Sequence, residues 1–156
     1  MSHSKSYQIA QDRLRRADAT EPSQQSGPLA ALLAFHRAFD LPRQALPNVE
    51  IAESLAKLRI ALLEEEVGEF IDAVSNADLI GIADALADIV CVVYGTAITY
   101  GIDLDRVMRE VHRSNMSKLD AKGRPLIRDD GKVIKSDQYF PPDVAGVLKL
   151  QPPMPV

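Results

Sequence analysis

The sequence predicts an all-α fold of four to five helices with a small C-terminal β-hairpin. Three observations predict it. Apolar residues recur at three- and four-residue spacing through most of residues 28–111. The breaks between these runs carry helix starters and stoppers, namely Pro28, Pro42, Pro47, Asp78 and Gly101. After Asn115 the composition changes, and Asp130-Gly131 is a tight-turn dipeptide between strand-like stretches.

Residues 1–27 are polar, dominated by Ser, Gln, Arg and Asp, and are expected to form a weakly ordered extension with some helix around Ile9–Arg16. Pro28 opens a helix through Leu29, Leu32, Leu33, His36 and Phe39 that stops near Leu41-Pro42. Residues 42–50 read as a loop. A long helix follows over about 52–75, with Leu55, Leu58, Leu62, Leu63, Val67, Phe70, Ile71 and Val74 in period. Asp78 caps the next helix, which runs to about Tyr100 and is closed by Gly101. That helix is apolar nearly all round, so burial on every side is expected. One small chain rarely encloses a helix completely, and a second subunit is expected to cover part of it. A further helix starts at Asp103 or Asp105 and carries Val107, Met108 and Val111. Arg124 to Lys135 reads as the hairpin, Val144 to Leu150 as a terminal helical turn, and 151–156 as a loose Pro-rich tail. The domain proper is 28–150.

The chain has 156 residues, enough for one domain with a core. A net charge of −4 argues against binding nucleic-acid polymers, which calls for a basic surface. The single cysteine, Cys91, excludes a disulfide scaffold, suits a reducing cytoplasm, and is expected to be inert packing. The first residues carry no apolar stretch, so no secretory signal is expected, and the longest apolar run, Ile89–Ile98, is too short to span a bilayer. A cytoplasmic protein without a membrane partner is expected.

Two stretches place carboxylates among apolar residues: Leu63-Glu64-Glu65-Glu66-Val67-Gly68-Glu69-Phe70 and Ile82-Ala83-Asp84-Ala85-Leu86-Ala87-Asp88-Ile89-Val90. At 100° per residue, Glu66 and Glu69 fall beside the apolar stripe, Glu65 lies slightly further round, and Glu64 points to solvent. Asp84, Asp88, Cys91 and Gly95 form one stripe of the next helix. An antiparallel pairing of the two helices would bring four carboxylates together. Unpaired carboxylates in apolar surroundings are costly, and the second helix has no Lys or Arg to offset them. A hard divalent cation is the natural partner. Oxygen-only ligands favour Mg²⁺, with Mn²⁺ as a substitute, over zinc or copper. A di-iron site is rejected, because Glu110 and His112 have the wrong spacing for it. A solvated acidic face is the plain alternative for the Glu run, less so for the two aspartates.

Residues 111–119 follow, with Arg113, Ser114, Asn115, Ser117 and Lys118 in close succession, and Lys132 and Lys135 add charge from the hairpin. These donors suit phosphate oxygens. Cations balancing a helix C-terminus are the alternative reading. An anionic ligand beside a polyacidic metal site accounts for both clusters.

The ordered set resembles a known family. Glu65-Glu66-x-x-Glu69 with a following Asp88 resembles the all-α nucleoside triphosphate pyrophosphohydrolases, the MazG-like superfamily. Phe35-His36, Tyr94-Gly95-Thr96-Ala97, Gly101-Ile102, Glu110 through Lys118 (with Arg113-Ser114-Asn115-Met116-Ser117-Lys118), Gly131-Lys132-Val133-x-Lys135 and Tyr139–Asp143 are similar to its phosphoribosyl-ATP pyrophosphohydrolase-like branch. The resemblance spans roughly residues 29–143. It implies a dimer or dimer of dimers that hydrolyses a nucleotide between the α and β phosphates. It also implies that Glu66, Glu69, Asp88 and Asp84 hold Mg²⁺ and that Glu65 orients or deprotonates water. Arg113, Lys118 and Lys135 would bind phosphates, and Asn115 and His36 the base or sugar. The superfamily's second motif is usually Glu-x-x-Asp, but the Glu position here is Ala85, with Asp84 as a neighbouring substitute. The alternatives are hydrolysis of phosphoribosyl-ATP itself in histidine biosynthesis, a non-catalytic nucleotide-binding dimer, and a structural helical dimer with solvent-facing acids.

Overall fold

The structure is a computed structural model that describes residues 27–156. The expected N-terminal extension therefore lies almost wholly outside the described residues. Helix α1 spans Pro28–Ala38, α2 Glu53–Ser75, α3 Leu79–Thr99, α4 Leu104–Met116 and α5 Val144–Lys149. A two-residue ribbon, β1 (Leu126–Ile127) and β2 (Val133–Ile134), completes the fold.

Local chemistry sets the boundaries. Pro28 sits in the first turn of α1, where its missing N–H costs nothing. Three helices start on an aspartate whose carboxylate accepts an orphan backbone N–H: Asp78 from Ile80, Asp103 from Arg106 and Asp143 from Gly146. Gly101 ends α3 with φ of 71°, and a side chain there would run into the Leu46 carbonyl. The ribbon pairs antiparallel, Leu126 with Ile134 and Ile127 with Val133, around Gly131 at φ of 83°.

The long helices α2 and α3 form an antiparallel pair through the turn 76–78 and dominate the packing. Helix α1 lies on α3, and α5 lies on α4. The core is small: Leu33, Ala85, Ala97 and Ile98 are buried, with His36 and Thr99 among them.

The cover of α3 within one chain is partial, as expected for a chain of this size, but the expected packing of Cys91 is corrected. Helix α3 is not covered on every side within a single chain. Its C-terminal half is buried at Gly95, Ala97, Ile98 and Thr99, but Leu79, Ile80, Leu86 and Val90 are exposed. Cys91 is exposed too, not packed. The reason is geometric: α1 and α2 approach from one side and no other described element reaches the opposite face. The whole helix is long and apolar enough, by length and composition, to cross a membrane, although its longest unbroken apolar run is not. Asp84 and Asp88 lie inside it, and each charge at the centre of a bilayer costs roughly 2.5–3.5 kcal/mol on insertion scales.

The segment 151–156, expected to be loose, has no helix or strand but is anchored. The Gln151 amide donates to Gly101 O at 2.8 Å and accepts from Asp103 N at 2.8 Å. The Met154 side chain is buried, and its N–H donates to Ala45 O at 2.8 Å.

Candidate metal and nucleotide site

The register of the α2–α3 pair follows from two contacts. Near one end, the Arg59 guanidinium donates through Nε to Thr96 Oγ1 (3.1 Å) and through Nη2 to Val92 O (3.2 Å). Near the other, a Cβ on Gly81 would lie 3.2 Å from the Ala73 methyl. Halfway between them on α2 is Glu66, and halfway on α3 is Asp88. The two carboxylates are therefore level across the helix pair, and Glu69 is level with Ala85.

Electrostatics agree with this placement. The Glu66 carboxyl is held above its ordinary range by partial desolvation, then by the charges of Asp88, Glu69, Glu65 and Asp84, in that order. The other four acids expected from the sequence thus all raise the cost of charging Glu66. Glu66 is half-buried, while Glu65, Glu69, Asp84 and Asp88 are exposed. The expected burial of the aspartates is corrected: they face the open side of the pair, for the reason given for α3. Among the described residues no three His, Cys, Asp or Glu side chains close around a single point, as mutually repelling carboxylates tend not to. The stretch from Glu64 to Asp88 contains eight acids and no Lys or Arg, and no ion pair among the described residues involves any of the eight. A hard cation fits this donor set by charge and by oxygen chemistry.

Ala85, at the usual Glu position, is buried (3% exposed). Its neighbour Asp84 is the carboxylate that reaches the cluster, with the weakest of the four effects on Glu66.

The predicted phosphate ligands lie on α4 and beyond. Arg113 makes a two-pronged bond to Glu110, at 2.8 Å to Oε2 and 2.7 Å to Oε1, and stacks 4.4 Å from the Phe140 ring centre. Glu110 also accepts from Asp143 N at 2.7 Å. Arg113 and then that N–H pull the Glu110 carboxyl down to about 2. Lys118 donates to Asn115 Oδ1 at 2.7 Å, and Lys135 lies 4.1 Å from the Tyr139 ring centre. Ser114 and Ser117 hold the Phe140 backbone, at 2.8 and 3.1 Å, and so fold the segment after the ribbon back onto α4. No hydrogen bond or ion pair among the described residues joins these cations to the acids of α2 and α3.

His36 is 2% exposed. Its Nδ1 lies 2.9 Å from Pro42 O, which only accepts, so that nitrogen carries the proton. Burial, with the Arg59 and Arg43 charges, lowers its pKa against the raising effect of that bond.

Three arginines escaped the sequence reading. Arg59 lies one heptad before Glu66 on the same face of α2, and its place among Leu55, Leu62 and Leu63 was the available signal. Arg106 and Arg109 join Arg113, Glu110 and Asp143 around a cavity of about 420 Å³ between α4 and α5. Their spacing was the signal there, Arg109 four residues and Arg106 seven residues before Arg113 on one helix face.

A family model described as phosphoribosyl-ATP pyrophosphohydrolase matches residues 32–115. The chain belongs to this family. It is thereby part of the MazG-like all-α nucleoside triphosphate pyrophosphatase superfamily, and its helical fold agrees. The match covers all the acids, Arg59, Arg113 and Asn115, and ends before Lys118 and Lys135. Among curated relatives, the uncharacterized protein L479 of Acanthamoeba polyphaga mimivirus is 34% identical over 105 residues. That alignment covers 65% of this chain and 39% of the relative, so the chain spans about two fifths of the length of the curated relative it matches. The family supports a nucleotide pyrophosphohydrolase type of activity.

Proposed function

We propose that the chain is a Mg²⁺-dependent nucleotide pyrophosphohydrolase. It cleaves a nucleoside triphosphate or related nucleotide between the α and β phosphates, giving a monophosphate and pyrophosphate. The observation that carries this reading is the register of α2 and α3, which sets Glu66 level with Asp88 in a stretch of eight acids devoid of cations. Family membership supports the same chemistry.

Glu66, Glu69, Asp88 and Asp84 would hold Mg²⁺, with Mn²⁺ as a substitute. When bound, the ion supplies charge neutralisation on the phosphates and an acidified water. Glu65 stands one residue from Glu66 on the exposed side of α2, where it can accept a proton from water. The water oxygen forms the new bond to phosphorus, the bond to the bridging oxygen breaks, and the water proton passes to the Glu65 carboxylate. Arg113, Lys118 and Lys135 bind phosphate oxygens, and Asn115 contacts the nucleoside. Arg113 meets phosphate as a guanidinium already oriented by Glu110 and Phe140. The burial of His36 favours packing over substrate contact.

A homodimer, or a dimer of dimers, is part of the proposal. The apolar faces of α2 and α3, from Val67 and Ile71 to Leu86 and Val90, are exposed in one chain, and a second copy would cover them. A cytoplasmic location, without nucleic-acid or membrane partners, goes with it.

Phosphoribosyl-ATP is the specific rival substrate, because the matching family bears its name. Pyrophosphate release should be measured from that compound and from a panel of canonical and modified triphosphates, with Mg²⁺ or Mn²⁺. Glu66→Gln is the control and is expected to be inactive. No release from any substrate, or a Glu66→Gln rate equal to the parent's, would refute the reading.

A further inference from the structure

Arg59 is an anomaly in the helix pair. It is a half-buried guanidinium that takes part in no ion pair among the described residues. Burying a charge without a countercharge is unfavourable, so its retention needs a reason. Its bonds all run across the pair. Nε donates to Thr96 Oγ1, Nη2 donates to Val92 O, and Thr96 Oγ1 donates to the same Val92 carbonyl at 2.7 Å. The three groups form a closed triangle that ties one turn of α3 to one residue of α2. Gly95 makes room for it. A Cβ there would stand 2.5 Å from Arg59 Nη2 and 3.0 Å from His36 Nε2. The buried His36 closes the space from α1.

The triangle sits on the stripe that carries the acids. Arg59 and Glu66 are seven residues apart, so they share a face about 10 Å apart along the axis. On α3, Gly95 continues the line of Asp84, Asp88 and Cys91. We infer that Arg59 is a positioning residue: it pins α3 against α2 in the register that sets Glu66 level with Asp88, and Gly95 is the glycine that admits it. A sliding of α3 by one residue would turn Asp88 away by a third of a turn and leave Glu66 facing apolar side chains. The inference rests on the metal reading proposed above and deepens it.

Charge and register give opposite signs. Were Arg59 only a nearby positive charge, its removal would leave cation binding unchanged or strengthen it. If it pins the register, its removal weakens binding, by the roughly 10- to 100-fold typical of residues that orient metal ligands. The test is isothermal titration of chelator-treated protein with MgCl₂ and MnCl₂, alongside thermal melts. Arg59→Met and Gly95→Ala are both expected to bind about ten- to a hundredfold more weakly than the parent. Arg59→Lys keeps the charge but not the planar fork, and is expected to bind as weakly as Arg59→Met. Gly95→Ala is the decisive variant, because alanine favours the helix while displacing the guanidinium, so binding falls without a matching loss of stability. Met154→Ala, a truncation of a buried side chain whose backbone is anchored to Ala45 and outside the Arg59 triangle, is expected to melt earlier yet bind like the parent. Parental affinity in both Arg59→Met and Gly95→Ala, or tighter binding in Arg59→Met, overturns the inference. Should Arg59→Met fail to fold, Gly95→Ala and Arg59→Lys decide alone. A parent that binds neither ion overturns the metal reading itself, and the pinning role falls with it.

Discussion

Restoring the carboxylate at position 85 should damage the fold of this chain before it helps any chemistry. Ala85 is 3% exposed, on the side of α3 level with Glu69. The change Ala85→Glu adds a methylene and a carboxyl to a packed space. Overfilling a packed site costs about 1–3 kcal/mol. A carboxyl buried there without a hydrogen-bond donor costs roughly 1–3 kcal/mol more, and the neighbouring acids supply only negative charge. The total is about 2–6 kcal/mol, which for a chain of this size lowers the melting temperature by roughly 5–20 °C. Scanning calorimetry of chelator-treated parent and variant measures this directly. Added Mg²⁺ is expected to raise the melting temperature of Ala85→Glu by more than that of the parent, since the extra carboxylate gains a countercharge. A metal-free variant melting within about 2 °C of the parent would refute the placement of Ala85 between the helices. The pairing of Glu69 with position 85 would then be wrong as well.

Two further outcomes follow from buried residues. Ile98 is fully buried, so Ile98→Ala should cost about 2–5 kcal/mol and lower the melting temperature by roughly 4–20 °C; an unchanged melt would show that the α1–α3 contact is not the core. The folded state resists protonation of His36, whose pKa lies below the ordinary 6.5. Below that pH the unfolded chain binds the additional proton, so this stability is complete above pH 6.5 and is lost as the pH falls below it. Melts of the parent between pH 8 and 5.5 should therefore fall more steeply than those of His36→Asn, which keeps a donor for Pro42 O but does not titrate; parallel profiles would contradict the buried, neutral imidazole.

What could be read from the sequence was what neighbouring residues decide among themselves. Asp78 and Asp103 announced helix starts and Gly101 a helix end, because capping needs only a few adjacent atoms. The shared face of Glu66 and Glu69, and that of Asp84 and Asp88, came from helical periodicity. Their meeting across α2 and α3 needed only an antiparallel pair joined by a short turn, and the turn at 76–78 provides it. Exposure was not legible. Helix α3 is greasy around its whole circumference, and nothing local says how much of that circumference one chain covers. Arg59 was missed for a related reason. A long cation within a leucine stripe reads as a side chain reaching for solvent, and only the gap left by Gly95, thirty-six residues downstream, shows where it goes. Arg113 and Lys118 were picked for their chemistry, but their tethers to Glu110 and Asn115 became visible only when the helix was built.

The stretch around Gln151–Met154 also reaches beyond its own neighbourhood. Gln151 holds the corner between α3 and α4, and Met154 holds Ala45 in the loop after α1. Two connections far apart in the chain are thus fastened by one strap. Their amide hydrogens should exchange with solvent as a single cooperative unit, and a protease that clips the strap would loosen the C-terminal end of α3 together with the loop that carries the acceptor for His36.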